Sequence, residues 1–282
     1  MILKDYLPQK WMSEYVRCFR IVHFDFTASA LPPPKPYTPR PEICLAFYPY
    51  DKETVTYEDG KIIKDVNVAL IGQQTTVTNR TIGRHFMVLQ IIFQPGALFR
   101  LTKIPLHYLS NQYLDANELD IGKLDEVNEQ LYFARDYSEM VRIASAFVTK
   151  LIQKAKMDIQ PIDHICQVMQ SGDDKWTLDK LAKSSCYSIR AFERNFKART
   201  GVNPVTFQRI LRFDRAFRLK NIKPASTWTN IAYEVGFHDY QHLAKDYQLF
   251  TGMLPEKFHS LETPEGTLGL SEGFYENEII NA

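Results

Sequence analysis

Cysteine is scarce in this chain of 282 residues, which has four, at positions 18, 44, 166 and 186. Their spacings suit no metal centre and supply no disulfide framework, so all four are expected to be reduced thiols. No apolar stretch approaches the roughly eighteen residues of a membrane span, and the amino terminus lacks the uninterrupted apolar core of a secretion signal. A soluble, cytoplasmic protein with no membrane partner is therefore expected. A nucleotide-binding glycine loop and a Gly-x-Ser-x-Gly elbow are both missing, and His23, His85 and His107 lie far apart without metal-ligand spacing. No catalytic residue, no metal and no cofactor is expected. Net charge is small as well: 34 Lys and Arg against 33 Asp and Glu leave +1.

That balance hides an uneven distribution. Between residues 171 and 260 there are fifteen Lys or Arg against nine Asp or Glu, whereas from residue 261 onward there are five Glu and no base. A basic segment of this kind is what attraction to phosphate requires.

The basic segment states one pattern twice. Leu181-Ala182, Cys186-Tyr187-Ser188 and Gly201-Val202-Asn203-Pro204-Val205-Thr206-Phe207 form the first statement. Ile231-Ala232, Gly236-Phe237-His238 and Gly252-Met253-Leu254-Pro255-Glu256-Lys257-Phe258 form the second. A shared period of roughly fifty residues implies duplicated supersecondary units. Each reads as a helix-turn-helix: a short helix carrying a small Ala, a turn at Cys186 or Gly236, then a second helix capped by Ser188 or Asp239 and closed by a glycine. In the first unit Ile189, Phe192 and Phe196 are expected to face inward, leaving Arg190, Glu193, Arg194 and Lys197 as an outward stripe. In the second, Leu243, Tyr247 and Phe250 face inward, while Tyr240, Gln241, His242, Lys245 and Gln248 are outward or flanking. Arg and Lys can donate to guanine, Gln can pair with adenine, and the major groove of DNA admits a helix. A solvated helix face would show the same stripe, but matched caps, turns and closing Gly-Pro-Phe residues in two copies favour a reading surface. The expected DNA-binding residues are Ser188, Arg190, Glu193, Arg194, Lys197, Tyr240, Gln241, His242 and Lys245. Glu193 either accepts from cytosine or pairs with Lys197 four positions on.

These residues resemble the AraC/XylS transcriptional regulators, over roughly residues 159–261. Ser188-x-Arg190-x-Phe192-x-Arg194-x-Phe196-Lys197 matches that family's first recognition helix, and Arg212-Phe213-x-x-Ala216-x-x-Leu219 matches the helix joining its two units. Ile231-Ala232-x-x-x-Gly236-Phe237, with Gly252 and Pro255, matches its second unit. The chain departs where the family has Ser, Phe and Phe-Lys in the second reading helix and this sequence has Gln241, Leu243 and Tyr247-Gln248. The missing Lys removes a phosphate contact. The resemblance implies a sequence-specific transcriptional regulator with double-stranded DNA as its partner. Pro204 would open the connecting helix, which at about sixteen residues spans about 24 Å and fixes the separation of the reading helices. Arg209, Arg212, Arg215 and Arg218 lie along it, with Arg212 expected either at phosphate or in an ion pair with Asp214 or Glu234.

The first half has a different texture. Tyr15–Phe26, Ile43–Tyr48, Glu53–Tyr57, Ile62–Val68, Ala69–Thr78 and Phe86–Phe93 read as strands, with Asp59-Gly60 as a hairpin signal. Residues 1–10 are expected to be loosely held. The proline-rich stretch from Leu31 to Pro41 can be neither a central strand nor a helix, leaving a surface connector or a polyproline ligand. The fold class is thus α+β: a mostly-β domain, small barrel or sandwich, with helices, then an all-α domain of two helix-turn-helix units. The expected division is 1–157, 158–261 and a mobile acidic tail at 262–282. Helices are expected from Leu124 and over residues 138–154, the latter packing on its own sheet, on a second copy, or both. Phe93-x-Pro95-Gly96-Ala97 is loosely similar to sensor halves in that family, which implies a small-molecule effector or homodimerisation. The competing class is a metal-dependent cupin-like enzyme carrying a DNA-binding domain, if the barrel gathers its distant histidines.

Overall fold

The computed structural model describes residues 2–26, 34–155, 157–170, 176–261 and 278–281. Its first half is built on two sheets that do not close into a barrel. Strands β1 (Ile2–Leu7), β2 (Val16–Asp25), β4 (Cys44–Phe47), β7 (Val68–Ile71), β9 (His85–Phe93) and β10 (Tyr113–Asp115) join β11 (Glu278–Asn281) in the order β10-β7-β4-β9-β2-β1-β11. The smaller sheet has the order β3-β8-β5-β6, from β3 (Lys35–Tyr37), β5 (Thr54–Thr56), β6 (Ile62–Ile63) and β8 (Thr78–Thr81). Pairing is antiparallel throughout except between β1 and β11.

The larger sheet is covered on both faces, which explains why β4 and, apart from His85 and Gln90, β9 are apolar at successive positions. Alternate residues of a strand point to opposite faces. Leu45, Phe47, Leu89 and Ile91 belong to a core beneath helices α1 (Ala97–Thr102), α2 (Leu124–Tyr132) and α3 (Tyr137–Gln153). Cys44, Ala46, Val88 and Ile92 belong to a second core against the smaller sheet. Asp136 caps α3 by accepting from the Glu139 N–H at 2.8 Å, and Phe147 meets Phe47 edge-on with ring centroids 6.0 Å apart. So α3 packs on its own sheet. Between the sheets, Arg80, Tyr48 and Tyr113 converge on the buried carboxylate of Glu53. Burial, reinforced by that carboxylate, pushes the phenols of Tyr48 and Tyr113 well up.

Several expectations need correction. The first residues form β1, an ordered strand on β2, because Tyr6 turns into the helix-covered core. The stretch read as one strand over Ala69–Thr78 is divided, with β7 ending at Ile71 and β8 beginning at Thr78, and β10 was not expected; β8 and β10 are only four and three residues long, too short to show a period. Part of the tail, Glu278–Asn281, extends the sheet beside β1, while residues 262–277, for which mobility was expected, lie outside the described residues. The proline-rich stretch contributes β3, which sits at a sheet edge where Pro36 costs no ladder bond; its residues 31–33 lie outside the described residues.

The second half is helical: α4 (Pro161–Gln170), α5 (Leu178–Ser184), α6 (Ile189–Thr200), α7 (Pro204–Ile222), α8 (Trp228–Glu234), α9 (Tyr240–Thr251) and α10 (Pro255–Leu261). It has two cores rather than one. Leu181, Ala182, Phe192, Phe196, Phe207 and Leu211 share the first, while Phe213, Phe217, Ile231, Leu243, Tyr247 and Phe250 share the second. Helix α7 supplies residues to both, so it works as the strut; its 19 residues span about 28 Å, longer than expected.

Candidate DNA-binding surface

Each unit is assembled from the same local devices. Thr177 and Thr227 cap the short first helices α5 and α8. The turns that follow need a left-handed residue, and Cys186 (φ 60°) and Gly236 (φ 85°) provide it. Ser188 then accepts from the Ala191 N–H at 3.3 Å and Asp239 from the His242 N–H at 2.8 Å, satisfying backbone donors that α6 and α9 would otherwise leave orphaned. The same His242 N–H, with the imidazole beyond it, holds the Asp239 carboxyl below its ordinary range. Gly201 and Gly252 close the two helices in the left-handed conformation.

A further repeat was not recognised from the sequence. The Thr200 hydroxyl donates to the carbonyls of Phe196 and Val202 at 2.9 and 3.0 Å, and Thr251 does the same to Tyr247 and Met253 at 2.7 and 3.2 Å. The signal was present as two Thr-Gly pairs at the helix ends.

The reading helices turn the expected residues outward with few commitments. Arg190, Arg194 and Lys197 are exposed on α6, and among the described residues none forms a hydrogen bond or ion pair. Glu193 is half-buried and makes no pair with Lys197. Gln241 and Lys245 are exposed and equally unengaged on α9. Three expected residues are partly occupied: the Ser188 hydroxyl serves the cap, the His242 Nδ1 lies 2.9 Å from Asp239, and the Tyr240 hydroxyl donates to Glu256 on α10 at 2.9 Å. Ile189, expected inward, is exposed because it opens the first turn of α6, beyond the reach of α5. Phe192 and Phe196 are fully buried as expected.

On the strut, Arg209 pairs with Asp246 at 2.7 Å and Arg218 with Asp214 at 2.9 Å, while Lys223 takes Glu234 at 2.7 Å. Arg212 therefore makes neither expected ion pair; its guanidinium lies over the Phe237 ring, 5.0 Å from the centroid. It borders a cleft of about 380 Å³ between α7 and α9, lined also by His238, His242 and Lys245.

The first half of the chain reaches the first unit directly. Arg199 at the end of α6 donates to Asp163 of α4 at 2.7 Å, with side chains 3% and 1% exposed, and lies over the Phe99 ring of α1. Ser110 donates to the Gly201 carbonyl at 2.7 Å, and a Cβ at Gly201 would lie 2.9 Å from the Ser110 Oγ. Glu42, just before β4, binds Arg17 and Arg20 and stands 3.8 Å from Arg218 of α7. Burial opposes its charge, yet Arg20, Arg17, Arg40 and Arg218 together hold its carboxyl well below the usual range. None of these contacts was read from the sequence, since they join residues tens to hundreds of positions apart.

The histidines expected to be scattered are partly gathered. His23 and His85 have ring centroids 5.4 Å apart, and Asp25 lies 3.9 Å from His85, but His107 stacks on Tyr108 elsewhere. Among the described residues no three His, Cys, Asp or Glu side chains are placed to hold a metal ion. The four cysteines are free, three buried and Cys186 exposed. No described helix is long and apolar enough to cross a membrane.

Paired helix-turn-helix units on one strut, each with its own core and an outward basic or amide face, define a DNA-binding domain of the kind found in transcription regulators. Residues 181–260 match the family model described as "Helix-turn-helix domain", and this segment is an AraC-type helix-turn-helix domain. Residues 4–115 match a "Domain of unknown function (DUF6597)". Among solved structures, the chain is similar to ToxT from Vibrio cholerae O395, at 12% identity over 87% of this chain and 97% of that one, TM-score 0.45. It is similar also to unsaturated fatty acid bound wild-type ToxT from Vibrio cholerae strain SCE256, at 14% identity over 85% and 94%, TM-score 0.46. The AraC-like transcriptional activator CuxR aligns at 9% identity over 97% and 89%, TM-score 0.22. No curated protein matches the chain.

Proposed function

We propose that the chain is a sequence-specific transcriptional regulator, with a sensor or assembly domain at residues 1–157, a DNA-binding domain at 158–261 and an acidic tail at 262–282. One observation carries this: α6 and α9 each rest on a separate core of the same strut and hold spare polar side chains outward. Arg190, Arg194 and Lys197 serve one segment of duplex, and Gln241, His242 and Lys245 the next, with Ser188, Glu193 and Tyr240 at the margins. The two segments lie about one helical turn apart, roughly 34 Å, and straight DNA must bend if the strut holds the helices otherwise.

The contacts of Phe99 with Arg199, of Ser110 with Gly201 and of Glu42 with Arg218 support control by the first half. Whatever that half binds, a small effector or a second copy of the chain, alters how α6 is presented. Selection of bound duplexes from a random pool, with the whole chain, tests the reading. Enrichment of a bipartite site with two short blocks about 10 base pairs apart is expected; a pool that stays random would contradict it.

A further inference from the structure

Four arginines recur along α7, and three are engaged by protein: Arg209 by Asp246, Arg218 by Asp214, and Arg215 by the Gln170 carbonyl at 3.3 Å. Arg209 and Arg212 each lie over an aromatic ring, Phe250 at 5.8 Å and Phe237 at 5.0 Å, but among the described residues Arg212 alone of the four has no hydrogen bond or ion pair, and its buried Nε is without a partner. A guanidinium packed on a ring face keeps its in-plane donors available for a bidentate acceptor. It borders the cleft between α7 and α9, where Lys245 is also uncommitted.

The groups facing this cleft can be counted by charge. Arg209 and Asp246 offset one another, which leaves Arg212 and Lys245 as uncompensated cations. His238 and His242 add two imidazoles with rings nearly parallel, 7° apart, and centroids at 5.9 Å. Asp239, beside them, is occupied by the His242 Nδ1 and backbone N–H. Two cations, two imidazoles and one aromatic wall suit a phosphodiester, whose oxygens accept from all four donors.

A second observation points the same way. In α9 the position that carries a Lys in the first unit, Lys197, is Gln248, and its amide is turned back to donate to the Gly252 carbonyl at 2.7 Å. The second reading helix thus has no cation at that flank.

We infer that the cleft between α7 and α9 seats a DNA backbone phosphate beside the groove entered by α9, using Arg212, His238, His242 and Lys245. This rests on the proposed DNA-binding function. The strut then supplies the phosphate grip that the reading helix lacks.

The test uses the full chain and a duplex recovered by selection, with affinity measured across a salt series. Arg212→Ala should weaken binding about tenfold at low salt and lower the log–log salt slope by about 1, without altering base preference. His238→Ala, an exposed change that leaves the core intact, should weaken binding several-fold on every sequence alike. Because Arg212 also packs on Phe237, Arg212→Lys is measured beside it, and it too should weaken binding while melting like wild type. If these variants keep the affinity and salt slope of a wild type that binds duplex, the seat is refuted and the regulator reading survives. If wild type binds no duplex, both fall. Inorganic phosphate, titrated in place of DNA, should bind only weakly; saturation at micromolar concentration, abolished by Arg212→Ala, would overturn the backbone assignment in favour of a free anion.

Discussion

Counting back from the closing glycines, Arg199 in the first unit stands where Phe250 stands in the second. Phe250 packs within its own core, ring centroid 5.3 Å from Phe213, whereas Arg199 leaves the unit to meet Asp163 and Phe99. The glycines differ likewise: Gly201 is bonded to Ser110, while a Cβ at Gly252 would sit at ordinary contact distance, 3.6 Å, from Glu58. One scaffold has thus been held in two ways. The first unit's second helix is tied to the first half of the chain through Phe99 and Ser110, and the second unit's is tied to the strut through Arg209 and Asp246. Under the proposed function, regulation through the first half would act on the first unit, and the second would serve as the steadier anchor.

Removing Arg199 tests this most severely. Arg199→Ala strands the buried Asp163 carboxylate and should destabilise the protein by about 3–5 kcal/mol. Phe250→Ala should cost a similar amount, about 3–5 kcal/mol, by opening a cavity. The two separate by hydrogen exchange: Arg199→Ala should raise exchange in α6 and α1, and Phe250→Ala in α8 and α9. Equal exchange throughout both units in either variant would break the comparison.

Glu42→Gln should have the next largest effect, about 2–3 kcal/mol, because it leaves Arg17, Arg20 and Arg218 without their shared carboxylate. Its folded-state carboxyl is held below the unfolded value, so its contribution is complete above about pH 4.3 and is lost as pH falls below that. Acid denaturation of Glu42→Gln should therefore be shallower than that of wild type between about pH 5 and pH 2. Identical acid profiles would remove Glu42 from the account.

Smaller effects concern reading and turns. Arg194→Ala should cost about 1–3 kcal/mol of binding at one base position and leave the melting temperature unchanged. An equal loss on every sequence would instead mark Arg194 as a phosphate contact. At the turns, Cys186→Gly should stabilise by about 0.5–1 kcal/mol, since φ near 60° is unfavourable for a side chain, whereas Gly236→Ala should cost about 1–2 kcal/mol. Thiol labelling of the native protein should modify Cys186 alone; burial pushes Cys18 and Cys44 up to about 12, and Cys166 higher still.

What was legible in the sequence was what one turn of chain decides for itself. Ser188, Asp239, Gly201, Gly252 and Pro204 each answer a local need, an orphan N–H, a positive φ or a fixed one, so their roles could be read without knowing the fold. Phe192, Phe196, Leu243 and Tyr247 followed from helical spacing. The strands β1, β8 and β10 were not legible, because strands of a few residues acquire meaning only from the neighbour they pair with. Nor was the Arg199–Asp163 pair: an arginine near a helix end reads as exposed until α4 and Phe99 are placed over it. Arg212 was legible as a basic residue but not as the spare one, since that depends on which acceptors its three neighbours have already taken.

The central claim is that both units meet one duplex, and hydroxyl-radical footprinting of the full chain on a selected site tests it most directly. Two protected patches on one face of the DNA, about 10 base pairs apart, are predicted, with Arg194→Ala weakening one and Lys245→Ala the other. A single patch, untouched by changes in α9, would show that the second unit does not read DNA and would contradict the account.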